Sequence, residues 1–467
     1  MTQQAASRTL IRGGTVLTND ASIGEFKQGD LLIEGNRIAA VGPRIEADDA
    51  QVIDATHMIV IPGLVDSHRH TWQTLLRAVG TDWTLGQYFT GMRLIAGRLY
   101  KPDDMYISNY LGALEALSSG ITTLYDWCHN NNTPDHAEQA YLGLRDSGIR
   151  GVWGYGNAND DNVPPNSQIT DLADVRRMRE KYFSSNEQLL TMAFAARGPE
   201  ISNIDITEKE FRFVRDLGLR ITVHVGVGSW HVDPMGQMNS RGLLKDDTTY
   251  VHCNMLSHQE MQLIIDSGGT TSLSPETELN MGLGDLATLR FLALGHRPSI
   301  STDETSSAPG DMFSSMRTVL TVARGDAARE ALRDGRELEP IPLTSRDVFE
   351  FSTIEGAKAC GYGHLIGTLT PGKQADVVLI DTNAVNLMPL NYSYGSIIEC
   401  THAGNIDTVF VAGRLMKRHG KLLNVDLGAL RRRVDAARDG LFDRAGIAPD
   451  KHWMPKPYLR NEAMAHA

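Results

Sequence analysis

The sequence predicts an α/β protein built on a (β/α)8, TIM-like barrel, with a small β module ahead of it. Three observations predict this. From Ile61 onward, short β-type runs alternate with longer helix-type segments, and eight such runs precede Asp303; that alternation marks βα units around a parallel sheet. The first 60 residues instead string short apolar runs between turn residues. Finally, the histidines and the aspartate suited to metal chemistry fall at the C-terminal ends of the predicted barrel strands, the face on which such barrels build their sites.

In chain order, Thr9–Arg12 precedes Gly13–Gly14 and Thr15–Thr18 precedes Asn19–Asp20, which reads as two short strands. Asp30–Glu34 and Arg37–Val41 flank Gly35–Asn36, a hairpin signal. The eight barrel strands are predicted at Ile61–Val65, Thr122–Trp127, Arg150–Trp153, Leu190–Ala195, Arg220–His224, Thr249–His252, Thr270–Ser274 and Pro298–Thr302, with helices such as Met105–Ser118 and Glu208–Leu217 between them. After the first run come His68 and His70, spaced i, i+2. In an extended chain that spacing turns both rings to one side, and two imidazoles on one face are half of a zinc-type site. His224 ends the fifth strand, His252 the sixth, and Asp303 follows the eighth. Each alone reads as an ordinary hydrogen-bonded residue, and Asp303 as a helix N-cap; together, five metal-compatible side chains from four strands form the arrangement a catalytic metal needs.

Bulk properties narrow the partners. The 467 residues carry a formal net charge of −12 with a pI of about 5.7, which disfavours nucleic acid and anionic membrane surfaces. No apolar run reaches membrane-spanning length and the N-terminus has no apolar leader. Cys128, Cys253, Cys360 and Cys400 form no C-x-x-C pair, so a reducing, cytoplasmic setting and a small-molecule substrate are expected.

The segments Pro62–His70, Gly120–Thr123, His224, Tyr250–Asn254, Ser301–Asp303, Thr353–Lys358 and Gly367–Asp376 together resemble the amidohydrolase superfamily, in the branch that holds triazine hydrolases and cytosine and guanine deaminases. The resemblance spans nearly the whole chain. It implies a metal held by His68, His70, His224 and Asp303, with His252 polarising the substrate. It also implies that residues 1–60 and 366–425 join as one composite β-sandwich, including Asp376–Asp381 and Thr408–Arg414, around a catalytic barrel at 61–365. Residues 426–467 then form a terminal helix, Leu427 to Ala445 with Gly446 as its stop, and a tail packed on its own barrel or on a neighbouring subunit. A homo-oligomer is expected on the same ground. Binuclear members add a lysine or an acid from the fourth strand; Leu190–Ala196 offers neither, so one divalent ion is expected. Zn²⁺ suits three nitrogens and a carboxylate, and Fe²⁺, Co²⁺ and Mn²⁺ accept the same donors.

A divalent ion lowers the pKa of water to about 7. Asp303 then acts as acid and base, and His252 donates a hydrogen bond to the oxygen that gains charge. Two departures bear on the substrate. Deaminases of this branch carry His-x-x-Glu after the fifth strand, and here the run is His224–Val225–Gly226–Val227. After the seventh strand Glu278 places a carboxylate near the mouth, as a substitute acid or as a solvated loop residue. Trp72, Gln73, Arg197 and Glu278 are the candidate substrate contacts. Trp83, Tyr88, Phe89, Trp127, Tyr155 and Trp230 suggest a partly apolar or planar ligand; His129 and His136 receive no role. Because Val227 delivers no proton to a ring nitrogen, cleavage of a carbamate-, thiocarbamate- or urea-like bond is expected. The alternative is an aminohydrolase or chlorohydrolase of a purine, pterin or triazine ring. A non-enzymatic relative is disfavoured by the complete ligand set.

Overall fold

A computed structural model describes residues 8–159, 167–448 and 452–458. The chain forms two sheets joined at Gly63. Five strands come first: β1 (Arg8–Leu17), β2 (Glu25–Glu34), β3 (Arg37–Gly42), β4 (Gln51–Asp54) and β5 (Met58–Pro62). The barrel strands follow: β6 (Leu64–Arg69), β7 (Ile121–Cys128), β8 (Arg150–Tyr155), β9 (Leu190–Ala196), β10 (Arg220–Val225), β11 (Thr248–His252), β12 (Thr270–Leu273) and β13 (Ser299–Ile300). The last four are β14 (Val377–Asp381), β15 (Ile406–Val411), β16 (Arg414–Arg418) and β17 (Lys421–Leu422).

Strands β6 to β13 pair in sequence order, all parallel. The ring closes through β6. Arg69 pairs with Asp303 in a parallel bridge, the Asp303 N–H donates to the His68 carbonyl at 3.0 Å, and the His70 N–H donates to the Asp303 carbonyl. Buried Asp66 reinforces the seam by accepting from Thr302 N at 3.1 Å and Thr302 Oγ1 at 2.6 Å. The barrel strands are buried along almost their whole length, as expected where helices cover one side of a parallel sheet and packed side chains fill the other.

The other nine strands form one hydrogen-bonded sheet, ordered β17-β16-β15-β14-β5-β1-β2-β3 with β4 on β1. The two chain ends meet where β5 and β14 pair antiparallel, Val377 opposite Pro62 through Asp381 opposite Met58. Ile11, Val16, Ile33, Val60, Val377, Leu379 and Phe410 form its core.

Four predicted strands are divided differently in the structure. Thr9–Arg12 and Thr15–Thr18 are halves of one strand, β1: Gly13 takes φ of 77° and the register shifts there, so the glycine pair makes a bulge rather than a turn. The run Ile61–Val65 is split between sheets, with Ile61 and Pro62 in the terminal sheet and Leu64 starting the barrel. Gly63 permits the transfer because a Cβ there would lie 2.0 Å from Thr122 Oγ1. The eighth barrel strand shrinks from Pro298–Thr302 to Ser299–Ile300, because the chain turns to place Asp303.

The helix Leu427–Ala445 ends on Gly446 in the left-handed conformation, φ 65°, a common helix stop. Beyond it, residues 452–458 pack on the chain's own loops. Trp83 Nε1 donates to the Trp453 carbonyl at 2.8 Å, and the Tyr458 N–H donates to the Gly86 carbonyl at 2.9 Å. Among the described residues no helix is long and apolar enough to cross a membrane.

Candidate metal centre

Four elements deliver the site. β6 carries His68 and runs directly into His70; β10 carries His224; β11 ends on His252; and Asp303 stands just past β13. His252 and Asp303 both hold left-handed backbones, φ 76° and 60°. Non-glycine residues seldom accept that region unless their surroundings impose it, and such strain gathers at functional sites.

The ligand atoms of His68, His70 and His224 lie within 4.8 Å of one another, as do those of His68, His252 and Asp303. His68 Nε2 is 3.2 Å from His224 Nε2 and 3.2 Å from Asp303 Oδ1. His70 Nε2 is 3.4 Å from the same carboxylate oxygen. His252 Nε2 stands further off, 3.9 Å from Asp303 Oδ2. The Trp127 carbonyl, 2.8 Å from His70 Nδ1, holds the proton on that nitrogen and leaves Nε2 as a lone-pair donor.

The charges agree with a cation site. Burial, then the neighbouring His68, push His70 down to about 3. Burial and the His68, His252 and His70 rings press His224 well below its ordinary range. Both are therefore neutral donors at pH 7. Burial works to raise the Asp303 carboxyl, but the His68 hydrogen bond and the surrounding imidazoles outweigh it, and the group is held ionised. The His68 and His224 rings face each other nitrogen to nitrogen at 3.2 Å, a contact that calls for a cation or a proton between the two lone pairs. That contact, with an ionised carboxylate beside it, fits a divalent metal held by His68, His70, His224 and Asp303.

His252 has a different setting. Burial lowers its pKa, but the Glu278 hydrogen bond and the Asp303 and Glu278 charges raise it more. Glu278 Oε1 is 3.2 Å from His252 Nδ1, and the carboxylate also accepts from Asn254 Nδ2 at 3.0 Å and Ser274 N at 2.6 Å. Glu278 is fully buried. The residue expected at the mouth as a substrate contact thus stands behind His252, and its place near the C-terminal end of β12 is what carries it there.

The other predicted contacts divide. Gln73 Nε2 donates to Tyr88 Oη at 2.6 Å, while its Oε1 is buried with no partner. Trp72 Nε1 donates to His129 Nδ1 at 2.9 Å, and His129 stacks on His70 with centroids 4.0 Å apart. His129, given no role from sequence, therefore braces a ligand ring from the loop after β7. His136 binds the Tyr100 carbonyl and Thr133, a helix-packing role. Arg197 is engaged in its own network, with Gln168 Oε1 at 2.7 Å and Glu210 at 4.0 Å. Glu304, the residue after Asp303, folds back on Ser306 and Ser307; burial and the Asp303 charge push it up to about 7.

Sequence reasoning missed Glu200. It is buried and accepts from Gly226 N at 2.9 Å and Val227 N at 3.3 Å, with His231 Nδ1 at 3.4 Å. The available signal was its position, four residues past the end of β9 on the active face.

Residues 59–416 match the amidohydrolase family. The chain is 26% identical over 428 residues to a 5-methylthioadenosine/S-adenosylhomocysteine deaminase of Pyrococcus furiosus, covering 89% of this chain and 97% of that protein. A crystal structure of an adenosine deaminase from Xanthomonas campestris with bound zinc is similar at a TM-score of 0.82 and 22% identity, covering 94% of this chain and 99% of that one. An atrazine chlorohydrolase from Arthrobacter aurescens complexed with zinc is similar at a TM-score of 0.79 and 20% identity, covering 92% and 100%.

Proposed function

The chain belongs to the amidohydrolase family, metal-dependent hydrolases of carbon–nitrogen bonds, and we propose that it is a mononuclear aminohydrolase of a nitrogen heterocycle of the purine, pterin or triazine kind. The observation that carries this reading is the Glu278–His252 pair. The case for carbamate or urea cleavage rested on the absence of a proton donor at Val227. Glu278 behind His252 supports a different source: an imidazolium whose Nδ1–H is held by the Glu278 carboxylate and whose Nε2–H faces the ligand cluster. The names of the relatives, deaminases and a triazine chlorohydrolase, support the same choice.

When bound, a divalent ion supplies Lewis-acid activation of water; Zn²⁺ is proposed because the donor set suits it. Asp303, ionised and on the seam of the barrel, accepts the proton of the attacking water and returns it to the departing amine. As an imidazolium, His252 donates from Nε2 to the atom that gains charge, while the Glu278 carboxylate holds its Nδ1–H and ring plane. The unpaired Gln73 Oε1 is an acceptor for a substrate N–H. Trp127, buried against the ligand ring of His68, and Trp72, buried against His129, give flat walls suited to a ring. We also propose a cytoplasmic homo-oligomer.

The test is a substrate panel on Zn²⁺-loaded protein: aminated purines, nucleosides, pterins and triazines against aryl and alkyl carbamates and ureas. Ammonia release from a heterocycle is expected. Turnover confined to carbamates or ureas would overturn the reading.

A further inference from the structure

The segment Phe89–Ala96 carries one arginine, Arg93, whose side chain is only 8% exposed. A buried arginine almost always meets a carboxylate. Arg93 meets none among the described residues. Its Nε and Nη2 both donate to Asn159 Oδ1, at 3.0 and 2.6 Å. Asn159 is itself held from two sides: its Nδ2 donates to Asn130 Oδ1 at 2.6 Å, and its N–H to Asn132 Oδ1 at 3.0 Å. Asn132 Nδ2 in turn donates to the Gly97 carbonyl at 2.9 Å. Asn130–Asn132 follow the end of β7 and Asn159 follows the end of β8, so this polar frame sits on the same barrel face as the ligand histidines.

A neutral amide frame orients a guanidinium without discharging it. Of the five N–H donors, those on Nε and Nη2 share one amide oxygen, and the fork keeps further donating capacity. The frame reaches the metal centre, because Asn130 directly follows His129, which stacks on the His70 ring with centroids 4.0 Å apart. Burial lowers the Arg93 pKa only to about 10, so the guanidinium is charged at pH 7.

We propose that Arg93 is a substrate-recognition residue and that the substrate carries an anionic group, a carboxylate or a phosphate, beside its reacting ring. The proposal deepens the aminohydrolase reading and rests on it only for the place of the reacting centre. The bound anion supplies the countercharge that Arg93 lacks among the described residues. In a buried setting the charge-assisted pair is strong and, with a guanidinium fork, bidentate.

The probes are benzoate, its neutral isostere benzamide, and inorganic phosphate, titrated into metal-free protein by ligand-detected NMR so that no metal contributes. Benzoate or phosphate should bind saturably and benzamide at least tenfold more weakly. Arg93→Met should erase the preference for charge, and Arg93→Lys should keep a reduced one. Thermal unfolding of both variants separates this from a structural role, which would lower the melting temperature of both alike and leave the benzoate-to-benzamide ratio unchanged in whatever remains folded. Equal binding of benzoate and benzamide to the unaltered protein, or an unchanged ratio in Arg93→Met, overturns the proposal. The outcome is independent of turnover, so failure of the aminohydrolase panel and failure here are separate results.

Discussion

At the scale of single residues, the site makes distinct demands on its histidines. His70 is neutral, buried and locked by the Trp127 carbonyl, so His70→Ala should lose both bound zinc and turnover, measured by elemental analysis beside the rate; full activity would refute its assignment as a ligand. His252 is held from behind by Glu278. His252→Asn should keep most of the metal while kcat falls by about 10² to 10³, the usual size for one charge-stabilising donor. Glu278→Gln should also keep the metal, weaken the hold on Nδ1, and shift the acid or base limb of the kcat profile; an unshifted profile would remove Glu278 from the proton path. The His-x-His spacing and the strand-end positions made the ligand candidates legible in the sequence, because strand geometry links spacing to direction. Glu278 and Arg197 were legible only as polar residues near the mouth. Which way a loop side chain turns depends on partners such as Asn254 and Gln168 that are remote in sequence, and no periodicity encodes that.

At the scale of elements, Gly63 and the loop after β10 carry the most specific requirements. A Cβ on Gly63 meets three atoms of Thr122 at 2.0 to 2.7 Å. Gly63→Ala should therefore destabilise the fold by about 1–3 kcal/mol, as overpacking does, and the denaturation midpoint measures it. Gly63→Ala paired with Thr122→Ser should recover part of the loss. His231 bridges Glu200 at 3.4 Å and Glu260 at 3.3 Å, and the Glu200 hydrogen bond, against burial, raises its pKa above the usual 6.5. A folded-state pKa above the unfolded value gives stability that is fully present below pH 6.5 and is lost as pH rises through the folded value. Melting temperatures of the native chain and His231→Gln should accordingly converge as pH rises from about 6.5; parallel curves would show that the bridge contributes nothing. The alternation of β and α segments was readable because burial on both faces of a parallel strand leaves a distinctive apolar run. The joint at Gly63 was not, since Ile61–Val65 is one unbroken apolar stretch whose division depends on β14 pairing with β5 from more than 300 residues away.

At the scale of the whole molecule, assembly remains a matter of surface and mass. Light scattering should report a species larger than the 51.3 kDa chain; that mass alone would refute the proposed homo-oligomer. The terminal segment around Trp453 and Tyr458 lies on its own loops at Trp83, Gly86 and Phe89, so one of the two packing partners expected for the tail is present within the chain itself. The composite β domain could be anticipated only through family resemblance, because nothing local in β5 or β14 announces its partner.

The seam of the barrel has a further consequence. Its eighth strand has two residues, Ser299–Ile300, and beyond them the ring is fastened by the backbone of Asp303 against His68 and His70. The same three residues that offer side chains to a cation offer main-chain groups to the last joint of the cylinder, so the clasp of the architecture and the seat of the chemistry are one object. An enzyme built this way has no separate dial for sturdiness and for reactivity. Withdrawing the ion should slacken the hoop as well as silence it, seen first as faster amide exchange at His70 and Asp303. Directed evolution toward a new substrate will find the most room in the loops above the rim and the least at the clasp.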